Sequence, residues 1–132
     1  MISLPADFHW VLARSKCSIA VVFTELQLGA VDDAKKAQST LSQQGWPTFE
    51  ATNIIGNSFC VVRAQNPLFS KRVEFSHSEN EIQVRDDHAK LFMTATLTLT
   101  NEGECKLKVG DQELEQWQFR RMALEGLFFP AQ

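Results

Sequence analysis

Apolar and polar residues alternate most clearly in Lys90-Leu-Phe-Met-Thr-Ala-Thr-Leu-Thr-Leu-Thr100, which puts Leu91, Met93, Ala95, Leu97 and Leu99 on one face. A period of two is the mark of a strand with one face on a core. Asn101-Glu-Gly103 follows, with glycine where a hairpin needs a left-handed residue. That loop pairs Leu99 with Cys105, Leu97 with Leu107 and Ala95 with Val109 on the core side. Thr98 then faces Lys106 and Thr96 faces Lys108 on the solvent side. The pattern predicts strands over 90–100 and 104–109.

A second hairpin precedes it. With Ser78-Glu-Asn-Glu81 as the loop, Phe75 meets Val84, His77 meets Ile82, Glu74 meets Arg85 and Arg72 meets Asp87. Apolar partners share one face and opposite charges the other, whereas a loop one residue shorter puts Phe75 against Gln83. Strands over 71–77 and 82–87 follow, with a further one over 58–64.

The first half reads differently. Leu4, Phe8, Val11 and Leu12 have helical spacing, with Pro5 in a first-turn position, which predicts a helix near 4–15. Ser18-Ile-Ala-Val-Val-Phe-Thr24 is β-branched and continuously apolar, the signature of a buried strand, although a helix also fits it. Asp32 and Asp33 then open a run of helix formers with Val31, Ala34, Ala37 and Leu41 in one stripe. Gly45 and Pro47 stop it, so the helix spans 32–44. At the other end, strong helix formers predict a helix over 112–125. A Gly110-Asp111 turn competes, pairing Lys108 with Glu113 and Lys106 with Glu115 and leaving only 120–126 helical.

These elements predict one α+β domain over 1–132. It is a two-layer sandwich in which helices near 4–15, 32–44 and 112–125 cover a mainly antiparallel sheet of about five strands. Glu25-Leu-Gln-Leu-Gly29-Ala, the helix after it and Leu41-Ser-Gln-Gln-Gly-Trp-Pro-Thr-Phe49 resemble the first half of a SPOR-type peptidoglycan-binding repeat. The resemblance covers about a quarter of the chain, and the second half of the pattern does not follow. It implies a β-α-β path and association with the cell envelope, a path that a generic β-α-β unit shares.

Composition narrows the function classes. With 132 residues, 44% hydrophobic and 22% charged, the chain has the make-up of a globular domain. A net charge of -3 argues against nucleic-acid binding, and no apolar run approaches the roughly 20 residues of a membrane span. The N-terminal residues have no basic-then-apolar signal pattern. Cys17, Cys60 and Cys105 are odd in number and lack a CxxC pair, so the expectation is three free, buried thiols in the cytoplasm.

Catalytic chemistry finds little support. Asp86-Asp87-His88 and His77-Ser-Glu79 set carboxylates beside imidazoles, but the predicted hairpin holds His77 and His88 near opposite ends of the ladder. No ligand spacing suits zinc, and no glycine-rich phosphate loop or nucleophile elbow is present. No catalytic residue, cofactor or metal is therefore expected. The C-terminal apolar excess points elsewhere. On helix 112–125, Phe119 and Met122 point away from the Leu114/Trp117 face, and Leu127-Phe-Phe-Pro130 adds a tail of aromatics. Apolar residues on two sides of a helix suit two contacting bodies.

The expected function is thus a non-enzymatic interaction module that binds a protein partner, itself included as a homodimer. Its surface is Trp117, Phe119, Met122, Phe128 and Phe129. The alternative is a small-molecule binder or enzyme. Trp10, Phe23, Trp46, Phe92 or Trp117 would then wall a pocket between sheet and helices, with His77, Asp86 or His88 as polar contacts.

Overall fold

The computed structural model describes residues 9–53 and 56–130. Helix α1 spans Trp10–Lys16 and α2 spans Ile19–Leu41. Seven strands follow: β1 Thr48–Asn53, β2 Ser58–Asn66, β3 Phe69–His77, β4 Ile82–Arg85, β5 Leu91–Leu99, β6 Cys105–Val109 and β7 Gln112–Leu114. Helix α3, Gln116–Phe128, closes the chain. The sheet is antiparallel throughout, with strands in sequence order. Helix α2 packs on β1 and β2, while α3 packs on β3, β6, β7 and α2. An α+β sandwich results, with seven strands where about five were expected.

Both registers read from side-chain pairing are present. Phe75 faces Val84, His77 faces Ile82 and Glu74 faces Arg85. Leu99 faces Cys105, Leu97 faces Leu107, and Thr98 and Thr96 face Lys106 and Lys108. Arg72 meets Asp87 just outside the ladder, its backbone N–H donating to Asp87 Oδ1 at 3.2 Å. The core between sheet and helices is filled by aromatic rings. Phe59 stacks on Phe75 at 4.7 Å, Phe23 lies 5.1 Å from Phe59, and Phe119 meets Phe75 edge-on at 6.3 Å.

The first expectation to fall is the buried strand over 18–24, which belongs to α2. Ser18 caps that helix, its Oγ accepting from the Val21 N–H at 3.3 Å. Val22, Phe23, Leu26, Ala30, Ala34 and Ala37 then form one buried stripe down 23 residues, about 34 Å of helix. A β-branched run raises local strand propensity, but continuity with this longer stripe outweighs it. Asp32 and Asp33 consequently lie inside α2 rather than at its start, and the helix ends at Leu41 rather than 44. Gly45, at φ 85°, sits in the turn that follows. With Glu25–Gly29 helical, the β-α-β path implied by the SPOR resemblance is absent.

At the C-terminal end the hairpin reading prevails over a helix from 112. Gly110, at φ 59°, makes the turn, and Lys108 pairs with Glu113 and Leu107 with Leu114. This covers the outer edge of β6 and buries Leu114, which a helix from 112 would not do. The helix begins at Gln116 with Glu115 as its cap. Gln118 Oε1 accepts from the Glu115 backbone N–H at 2.8 Å, and the Glu115 carboxylate takes an N–H in return. Lys106 joins Glu104 and Glu115 beside this cap, and the hydrogen bond to Glu115 holds its ammonium above the usual lysine range.

Strand β1 is the element the hydrophobic pattern left out. It pairs with β2 along its whole length, with Phe49 opposite Arg63. Gln38 on α2 accepts the Phe49 N–H through Oε1 at 2.8 Å, tying this edge strand to the helix. Of the helix expected near 4–15, the part from Trp10 is present as α1, and residues 4–8 lie outside those described.

The cysteines also differ from expectation. Cys17, between α1 and α2, is bonded to Cys105 at the start of β6, with a Cα–Cα distance of 5.3 Å. Only Cys60 is a free, buried thiol. The inference of a reducing compartment from three unpaired cysteines therefore loses its basis. No helix among the described residues is long and apolar enough to cross a membrane.

Candidate functional site

The site is built on the contact between α2 and α3. Phe119, Ala123, Leu124 and Leu127 turn one face of α3 into the core. Two polar ties fix the helices side by side. Gln116 donates to Glu25 at 2.9 Å, and Arg120 Nε donates to Asp33 Oδ2 at 2.7 Å. The Arg120 guanidinium crosses α2 at Gly29, where a methyl group would come within 2.4 Å of it. A side chain at this position would push the guanidinium off its place over α2, so glycine here leaves room for the Arg120–Asp33 tie.

Beyond this tie the helices leave a groove of about 390 Å³ whose walls include Ala37, Leu41, Trp117, Leu124, Phe128 and Phe129. Trp117 and Phe129 remain 55% and 62% exposed at its margins. Charges on the rim are mostly paired within their own helices. Lys36 meets Asp32 at 2.9 Å and Arg121 meets Glu125 at 2.9 Å. The Asp32 hydrogen bond and charge hold the Lys36 ammonium above its ordinary range.

A second recess, of about 440 Å³, continues from the groove around the end of α3. Leu41, Phe128 and Phe129 line both, and Pro47, Phe49, Arg63 and Pro130 complete the recess. Phe128 packs edge-on against Phe49 at 5.2 Å and forms the step between the two spaces.

Of the five residues expected at a partner surface, Trp117, Phe128 and Phe129 line this groove together. Phe119 is a correction: it is fully buried against Phe75, because α3 starts four residues later than expected and turns that side inward. Met122 is 45% exposed but lies on the opposite flank of α3, in a recess of about 380 Å³ shared with Phe92, Asp86 and His88.

Of the residues of the alternative pocket, Phe92, Asp86 and His88 share the recess beside Met122, between the sheet and α3, and the others lie apart from it. Phe23 is buried in the core, with His77 against its ring at 4.5 Å. Trp10 and Trp46 are exposed on α1 and in the turn before β1. Asp86 and His88 form a turn in which Asp86 Oδ1 accepts from the backbone N–H groups of His88 and Lys90, both at 2.9 Å. The Lys90 bond, more than that from His88, holds the Asp86 carboxyl below its usual range. Among the described residues no cluster of three or more His, Cys, Asp or Glu could hold a metal ion.

Ala37, Leu41, Phe49 and Arg63 were not read as site residues. The alternation of Phe49 and Ala51 against Thr48, Glu50 and Thr52 was the available signal, since it predicts the strand that brings Phe49 beside Arg63. Comparison with protein-family models, curated proteins and solved structures finds no match for this chain.

Proposed function

We propose that the chain is a non-enzymatic interaction module that takes a protein partner on the groove between α2 and α3 and on the tail beyond it. The observation that carries this reading is the placement of Trp117 and Phe129. Both are more than half exposed on the margins of an apolar groove, although the core is already filled by other residues of the same helix. Aromatic side chains beside a concave apolar surface are the residue type that anchors protein interfaces. The Cys17–Cys105 bond supports an oxidising compartment as its setting, in place of the cytoplasm.

Native mass spectrometry of untagged protein from its own host tests the reading, with the wild type compared against a Trp117→Glu/Phe129→Glu variant. The wild type is expected as a dimer or in a stoichiometric complex with another chain, and the variant as a folded monomer. A wild-type dimer lost in the variant would make the partner a second copy. A monomeric wild type, or association unchanged by the substitutions, would overturn the proposal.

A further inference from the structure

The recess at the end of the groove contains a charge without a partner among the described residues. Arg63 is half-buried on the helix-facing side of β2, and its Nε is covered by neighbouring atoms with no acceptor in reach. Arg63 has no hydrogen bond or ion pair among the described residues, whereas Arg120 and Arg121 in the adjoining groove both have carboxylate partners. Partial removal of a guanidinium from water without a partner is unfavourable. Lys71 stands directly opposite Arg63 on β3, so two cations share one end of this face. Around Arg63 the lining is otherwise apolar: Leu41, Pro47, Phe49, Phe128, Phe129 and Pro130.

Resting on the function proposed above, we infer that the recess takes the terminal carboxylate of a short apolar peptide segment whose side chains lie along the α2–α3 groove. Guanidinium pairs with carboxylate through parallel N–H donors, and the terminal nitrogens of Arg63, unlike Nε, retain access to solvent. Capture of a terminal carboxylate is one recurring mode of peptide recognition, and here a guanidinium would supply the donors. Dimensions set the length. From Trp117 to Phe129 the α3 wall runs about 18 Å at roughly 1.5 Å per helical residue. An extended peptide covers that with about five residues at roughly 3.3 Å each. A lone carboxylic acid would fill the recess and leave the groove empty.

The test uses a pool of pentapeptides randomised among Leu, Ile, Val, Phe, Trp and Met, prepared as free acids and as C-terminal amides. Retention on the immobilised full-length protein is read by mass spectrometry. On the wild type the acids are expected to be enriched about tenfold or more over the amides. Arg63→Gln should bring that ratio close to one, and Arg63→Lys should restore part of it. Circular dichroism and thermal melting of each variant confirm the fold, and Arg63→Met serves if the glutamine variant melts early. Equal retention of acids and amides by the wild type overturns the role of Arg63. If that equal retention is lost in Trp117→Ser, the protein-binding groove still stands. Retention of neither form overturns the peptide-terminus inference, while the protein-binding groove is decided separately by the native mass spectrometry above.

Discussion

Breaking the Cys17–Cys105 bond should remove a large share of the stability of this protein. The bond closes a loop between residues 88 apart in sequence, spanning α2 and the first five strands. Cross-linking restricts the unfolded chain by an entropy of about 2.1 + 1.5R ln n cal/mol/K, with n the loop length. For this loop that is roughly 15 cal/mol/K, or about 4.6 kcal/mol at 25 °C. At about 0.05–0.15 kcal/mol per residue, a chain of this size has a total stability of roughly 7–20 kcal/mol. The bond thus accounts for between a quarter and two thirds of it. With a urea m-value of about 2 kcal/mol/M, reduction should lower the unfolding midpoint by roughly 2 M. Urea titrations of oxidised and reduced protein, and of a Cys17→Ser/Cys105→Ser variant, give that difference directly. Thiol counting provides a second reading. Unfolded, unreduced protein should expose one thiol, that of Cys60, and reduced protein three. Three thiols without reductant, or a midpoint shift below about 0.5 M, would refute the reasoning.

Two further predictions concern the helix pair. Phe119→Ala should cost about 3–5 kcal/mol, because it empties a fully buried position against Phe75, whereas the exposed Trp117→Ser should cost less than about 1 kcal/mol. Chemical denaturation of both variants checks this, and similar losses would mean that α3 is packed the other way round. At Gly29, alanine should displace the Arg120 guanidinium from Asp33, so Gly29→Ala alone should bring little gain in stability. Combined with Arg120→Met, the same substitution should stabilise by about 1 kcal/mol, the ordinary advantage of alanine over glycine in a helix. A double-mutant cycle measures that difference, and an equal gain in both backgrounds would show that Arg120 does not lie over Gly29.

Much of the sheet was legible because strand pairing is a local, two-faced constraint. Phe75 with Val84 and Glu74 with Arg85 could both be satisfied only with the loop that the structure shows. Leu97 with Leu107 and Thr98 with Lys106 required the three-residue turn in the same way. The candidate site was legible in part. Trp117, Phe128 and Phe129 were visible as an excess of aromatics near the C-terminus and share one groove. Phe119 belonged to the core instead, since which face of α3 turns inward depends on whether residues 112–114 pair with β6.

What the sequence determined by itself, then, was the antiparallel meander from β2 to β6, the registers of its β3–β4 and β5–β6 hairpins, and the apolar character of the last helix and tail. These rest on alternation, turn residues and cross-strand pairs within short separations. Tertiary structure decided the rest. Ile19–Thr24 became helix because its apolar side chains continue a stripe that packs on β1 and β2. Cys17 and Cys105 met because α2 and the meander return to the same end of the fold. Arg63 came to lie among Phe49, Phe128 and Phe129 only when β1 and the end of α3 closed over it. Each of these joins residues that are either distant in sequence or ambiguous in local propensity. Their energies come from burial against partners that no short window of sequence contains.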